Sequence, residues 1–145
     1  MSKTESIVEL IAEVRKTFHS LTHAGEQLIQ AGINMGQRGV LEELHGNGKQ
    51  TIPEIARTKG VSRQHILKLV TPLEKLDFVS FEENPAHKRS FIVALTGKGE
   101  KVITDTLASE YSALTKLGKV LKQQDLENAR EVLQSFRDLL DGEFR

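Results

Sequence analysis

The chain has 145 residues, of which 20 are Lys or Arg and 20 are Asp or Glu, and none is cysteine. That length fits one domain, or one domain with long helical extensions. Absence of cysteine excludes a disulfide scaffold, a thiolate zinc site and a thiol redox sensor, while a net charge of +0 points to no partner.

The charge is unevenly placed. From Gly46 to Lys101, seven Lys and three Arg stand against six acids, an excess of +4 that the rest of the chain offsets. Because salt screens charges more than about 8–10 Å apart, such a local basic surface attracts a polyanion despite distant acids. No apolar run reaches membrane-spanning length, and Met1 to Glu9 carries acids without a signal-like apolar stretch. A cytoplasmic protein is expected.

In chain order, Ile7, Leu10, Ile11, Val14, Phe18, Leu21 and Leu28 recur at helical spacing, and Gly32 closes that segment. Asn34 is placed to cap a second helix carrying Val40, Leu41 and Leu44 on one face. After the turn "HGNGKQ", "TIPEIARTKG" reads as a very short strand and a short helix. Thr51 and Glu54 have capping-box spacing, Pro53 suits the first turn, and Gly60 is a left-handed stop. Val61 and Ser62 lead directly into "SRQHILKLVTPLEKL", so two helices meet across a glycine joint, a helix-turn-helix pattern.

On that last helix Ile66, Leu69, Val70, Leu73 and Leu76 form the apolar stripe, while Gln64, Lys68, Thr71 and Lys75 face away, flanked by Arg63 and His65. Most such faces are simply solvated. Here Glu74 is the lone acid, and Gln and Lys near a helix start reach base edges while Arg reaches phosphate. "FVSFE" and "SFIVAL" then alternate as an antiparallel hairpin joined by "ENPAHK". A hairpin directly after a helix-turn-helix is a wing, and His87, Lys88 and Arg89 at its tip sit where a second DNA contact is made.

Thr96 caps a further helix through Gly99 and Glu100, continued by Val102, Ile103, Thr106, Leu107, Tyr111, Leu114, Leu117 and Leu121. A final helix from about Asp125 carries Leu126, Ala129, Val132, Leu133, Phe136, Leu139 and Leu140. The small winged unit cannot cover all of these apolar faces, so a second copy of the chain is the simplest partner. The expected fold is mainly α with a small β-hairpin (α+β), divided as an N-terminal dimerisation helix (1–31), a winged helix-turn-helix (32–98) and C-terminal dimerisation helices (99–145).

Other chemistries are poorly supported. His19 and His23 have a spacing that places two imidazoles on one helix face, but no further ligand stands at a diagnostic spacing, so no metal and no cofactor are expected. "GINMGQRG" is glycine-rich at a helix–helix connection, not after a strand, and no nucleophile or paired acids form a catalytic frame. The chain is expected not to be an enzyme.

Taken in order and spacing, "QRGVLEEL", "TIPEIARTKGVSRQHILKLVTPLEKLDFV" and "NPAHKRSFIVALTGKG" resemble the MarR family of winged-helix transcription regulators over almost the whole chain. The resemblance implies a homodimer on double-stranded DNA, repressing or activating at a roughly palindromic operator and often relieved by a small molecule. It places Ser62, Arg63, Gln64, His65, Lys68 and Thr71 on the recognition helix, and His87, Lys88 and Arg89 on the wing. An effector between base and winged lobe would meet Arg15, His19, His23, Gln37 and Arg38. Three residues depart from the family pattern. His87 stands where many members have an aspartate paired with an arginine, Asp77 where a helix-ending glycine is usual, and Pro72 falls inside the recognition helix, where a kink near Thr71 is expected. The competing reading, a winged protein-interaction module that has lost its operator, draws on Pro72 and Asp77.

Overall fold

Most helix starts in this chain are built by side chains three residues apart. In the computed structural model, which describes residues 1–29 and 31–144, α1 (Lys3–Leu28) begins with a reciprocal pair between Ser2 and Glu5, and Ser2's hydrogen bonds, the backbone one foremost, hold the Glu5 carboxyl below its ordinary value. Asn34 and Gln37 do the same for α2 (Met35–Asn47), as do Thr51 and Glu54 for α3 (Ile52–Lys59). Each box satisfies two backbone donors that a helix start otherwise leaves open. Gly60 ends α3 at φ 67°, and Ser62 caps α4 (Arg63–Lys75) by accepting the His65 amide at 3.1 Å.

The sheet has three antiparallel strands, β1 (Gln50–Thr51), β2 (Val79–Glu82) and β3 (Ile92–Leu95), in the order β1-β3-β2. Val79 pairs with Leu95 and Glu82 with Ile92, while Gln50 pairs with Val93. Ser90 and Phe91, expected in the second strand, lie in the loop, which therefore runs from residue 83 to 91. After the sheet come α5 (Gly97–Gly118) and α6 (Gln123–Phe144), the latter starting two residues before Asp125.

The chain forms two compact units, Met1–Ser109 and Glu110–Arg145. The first holds the core: Val40, Leu41 and Leu44 of α2, Ile55 and Ala56 of α3, Ile66, Val70 and Leu73 of α4, Phe78 just before β2, Val79 and Val93 of the sheet, and Ile103 of α5. Leu76, expected in the apolar stripe of α4, is exposed because it is the C-cap and the chain turns there. In the second unit α6 has no buried residue, and Leu126, Val132, Leu133, Leu139 and Leu140 are exposed. No helix among the described residues is long and apolar enough to cross a membrane.

One joint fixes the base of the wing. Past α4, the Phe78 amide donates to the Leu73 carbonyl and the Asp77 amide to that of Glu74, each at 2.9 Å, with Asp77 at φ 62°. This is the Schellman closure, with aspartate at the position glycine favours. Thr96 donates its hydroxyl to the Asp77 carbonyl at 2.6 Å and its amide to that of Phe78 at 3.1 Å, and Lys98 Nζ reaches the Leu76 carbonyl. Thr96 also accepts the Gly99 amide, as expected of a cap.

Candidate nucleic-acid interface

The first two turns of α4 carry their outward residues free of the core. Arg63, Gln64, His65, Lys68 and Thr71 are all exposed, and Ser62 is spent on the cap. α4 runs unbroken through Pro72 to Lys75, so the expected kink does not interrupt it. Pro72 removes the donor for the Lys68 carbonyl, but both residues are exposed, and water can take that bond. Thr71 turns its hydroxyl back to the Leu67 carbonyl at 2.8 Å. Pro72 and Asp77 therefore leave the exposed start of the helix intact.

The wing loop is two turns in succession. The Asn84 side chain accepts the Ala86 amide at 3.1 Å, and the Asn84 carbonyl accepts that of His87 at 3.2 Å, with Pro85 at the position where its fixed φ suits a turn. The His87 carbonyl then accepts the Ser90 amide, which makes Lys88 and Arg89 the two central, outward residues of the second turn. At the root of the loop Phe81 and Phe91 pack edge to face at 6.2 Å, and Lys49 bridges to Glu82 at 3.1 Å. With histidine in place of an aspartate, the loop is held by these contacts and not by an arginine–carboxylate pair.

Between α4 and the wing lies an open groove of about 750 Å³. Arg63, Thr71, His87 and Arg89 line it, over an apolar floor that includes Leu67, Phe81 and Phe91. A second groove, about 670 Å³, lies across the wing toward β1 and α3 and shares Arg63 and His87 with the first. Its other charged residues are Lys49, Arg57 and the acid Glu54, and Gln50 and Asn84 also line it. Sequence pattern does not single out Lys49, Arg57, Gln50 and Asn84, because only the β1–β3 pairing carries Lys49 and Gln50 to the wing. Gln64, Lys68 and Lys88 are exposed but line neither groove.

Among the described residues, Arg57, Arg63, Lys68, Lys88 and Arg89 take part in no ion pair. Four of these cations are spread over the start of α4 and the tip of the hairpin, and Arg57 lies on α3.

The residues expected at an effector site are not gathered in the same way. Arg15, His19 and His23 are exposed on α1, with the His19 ring against Phe18 at 6.3 Å. Gln37 is occupied by its capping box and by the Leu69 carbonyl, and Arg38 pairs with Glu42. None of the five lines either groove above. His45 contacts Glu100 through Nδ1 at 2.7 Å and so ties the end of α2 to the start of α5. No group of three or more metal-ligating side chains occurs among the described residues.

A family model described as MarR family matches residues 31–90, the span from the α2 cap to the wing. The crystal structure of the MarR family transcription regulator SP03579 superposes with a TM-score of 0.87 at 26% identity, covering 97% of this chain and 96% of that one. Over residues 31–90 the chain is similar to the MarR family, and over nearly its whole length it has the fold of that regulator. Reduced AbfR bound to DNA shares the fold of this chain with a TM-score of 0.74 at 20% identity, over 95% of this chain and 96% of AbfR. An uncharacterized protein of Mycobacterium tuberculosis is 26% identical over 100 residues, 69% of this chain and 70% of that protein. The winged-helix fold of this chain is thus shared with a solved MarR family transcription regulator.

Proposed function

We propose that this chain is a MarR family repressor that binds a palindromic operator as a homodimer, α4 reading bases in the major groove and the wing holding the backbone. The observation that carries this reading is the set of exposed cations without an ion pair on α4 and the wing, of which Arg63 and Arg89 line one open groove. Gln64 and Lys68 lie one turn apart on the exposed start of α4, the place from which side chains reach base edges. A second copy supplies the two-fold symmetry: Ile7, Val14, Phe18 and Leu21 of α1, Tyr111, Leu114 and Leu117 of α5 and the apolar row of α6 are exposed in the single chain. The expected split at 1–31, 32–98 and 99–145 assigns these terminal helices to the dimer base. A small molecule that relieves repression would bind near Arg15, His19, His23, Gln37 and Arg38 once the partner closes a cleft over them.

A salt titration on selected operator and scrambled duplexes separates the two contacts. Gln64→Ala should relax preference at one position per half-site at a cost of about 1–3 kcal/mol. Lys88→Ala should weaken both duplexes and flatten the slope of log K against log salt by about one unit per lost phosphate contact, or about two per dimer. A parental salt slope in Lys88→Ala would remove the wing from the DNA backbone.

A further inference from the structure

The chain has two sulfur atoms, in Met1 and Met35. Met1 is 83% exposed ahead of α1, where nothing packs on it. Met35 is different. It is the first residue of α2, half-buried, and its Sδ and Cε press on Gly25, the one buried residue of α1. A Cβ at Gly25 would stand 2.8 Å from that sulfur and 2.9 Å from the methyl, so the glycine is the notch that admits the thioether. On its other side Met35 lines an open groove of about 190 Å³ between α2 and α4, with Lys59, His65, Ile66 and Leu69. Met35 thus takes part in the packing of α1 on α2 and also lines an open groove beside α4.

We infer that Met35 is an oxidant-sensitive modification site at which a peroxide lowers DNA affinity in this cysteine-free protein. The sulfur lone pair attacks one peroxide oxygen, the S–O bond forms as the O–O bond breaks, and water leaves after proton transfer. Sulfur is oxidised by two electrons and the peroxide is reduced. The product is a polar, chiral sulfoxide in place of a flexible apolar thioether. The added oxygen enlarges and polarises a side chain whose Sδ and Cε already fill the notch at Gly25, which strains the packing of α1 on α2. Met35 shares its groove with His65 and Leu69 of α4, so the same swelling presses on the start of that helix.

The DNA arm of the test rests on the DNA-binding reading above; the melting arm does not. The full chain is treated with hydrogen peroxide, sulfoxide at each methionine is followed by peptide mass spectrometry, and thermal unfolding and binding to a mixed-sequence duplex are measured. The sulfoxide form should melt lower and bind on the order of tenfold more weakly, the scale of one unpaired polar group in a packed site. Methionine sulfoxide reductases acting on both epimers should restore both readouts. Met35→Leu should resist treatment, and untreated Met35→Gln should reproduce the lower melting. The inference is overturned if full sulfoxide at Met35 leaves melting and affinity unchanged, if Met35→Leu loses as much as the parent, or if Met35 stays reduced while Met1 is fully oxidised. Should the untreated chain fail to bind any duplex, the DNA reading fails, and the melting arm still decides whether Met35 is the sensitive joint.

Discussion

Gly99→Ala sets helix propensity against tertiary contact, and the two predict opposite signs. Gly99 lies in the first turn of α5 and is not among the positive-φ glycines, so its backbone is one that alanine adopts freely. By propensity alone the change should stabilise by up to about 1 kcal/mol. The packing around it reverses that sign. A Cβ there would sit 1.9 Å from the Phe78 carbonyl oxygen and 2.8 Å from its carbon, both backbone atoms that cannot swing aside. Reaching even the 3.4 Å of ordinary contact requires the start of α5 to withdraw by about 1.5 Å, the difference between 3.4 and 1.9 Å. That movement pulls on the Thr96 amide bond to the same carbonyl at 3.1 Å, the Thr96 hydroxyl bond to Asp77 and the Lys98 bond to Leu76. At about 0.5–1.5 kcal/mol for each of the three bonds, less the propensity gain, a net destabilisation of about 0.5–3.5 kcal/mol follows. For a chain of this size that is a fall in Tm on the order of 2–14 °C. Urea and thermal unfolding followed by circular dichroism measure it directly. Equal or greater stability in Gly99→Ala would show that the α4–β2–α5 joint yields easily and does not fix the wing base.

Other changes test other parts of the molecule. Asp77→Gly should stabilise by about 0.5–1 kcal/mol in the same unfolding assays. It removes the cost of a left-handed aspartate, about 1–2 kcal/mol, and returns part of it as the greater chain entropy of glycine. His87→Asp should weaken DNA binding several-fold in a low-salt anisotropy titration, because the carboxylate would neutralise Arg63, its neighbour in both grooves, and repel phosphate. Light scattering should return twice the 16.2 kDa chain mass, and Leu133→Asp with Leu140→Asp should return it to a single mass. A folded parental monomer at micromolar concentration would refute the dimer.

Residues a turn apart in the chain could be read from the sequence with little error. Thr51 with Glu54 and Thr96 with Gly99 make their bonds within three positions, and Asn34 caps α2 as its place before the apolar row implies, whereas its partner Gln37 emerges only in the structure. The apolar rows of α2 and α4 were equally legible, because burial of Val40, Leu41, Leu44, Ile66, Val70 and Leu73 follows helical period. The exposed cations of α4 and the wing tip came with them, since an outward face is what an apolar stripe leaves over.

What the tertiary structure alone decided are contacts between residues far apart in the chain. Lys49 and Gln50 join the wing only because β1 pairs with β3, some forty residues on. Gly99 is needed because Phe78 turns its carbonyl into the space of a methyl group, and no local rule reports that distance. His45 meets Glu100, and Met35 meets Gly25, across helices whose separate sequences carry no mark of the other. The residues expected to share an effector site share nothing by sequence proximity: Gln37 and Arg38 are taken up by caps and pairs within α2, and Arg15, His19 and His23 face outward from α1. Periodicity fixes which face of an element is buried. Which atoms then meet across two faces depends on the backbone path between them, and only packing at near-crystalline density determines that.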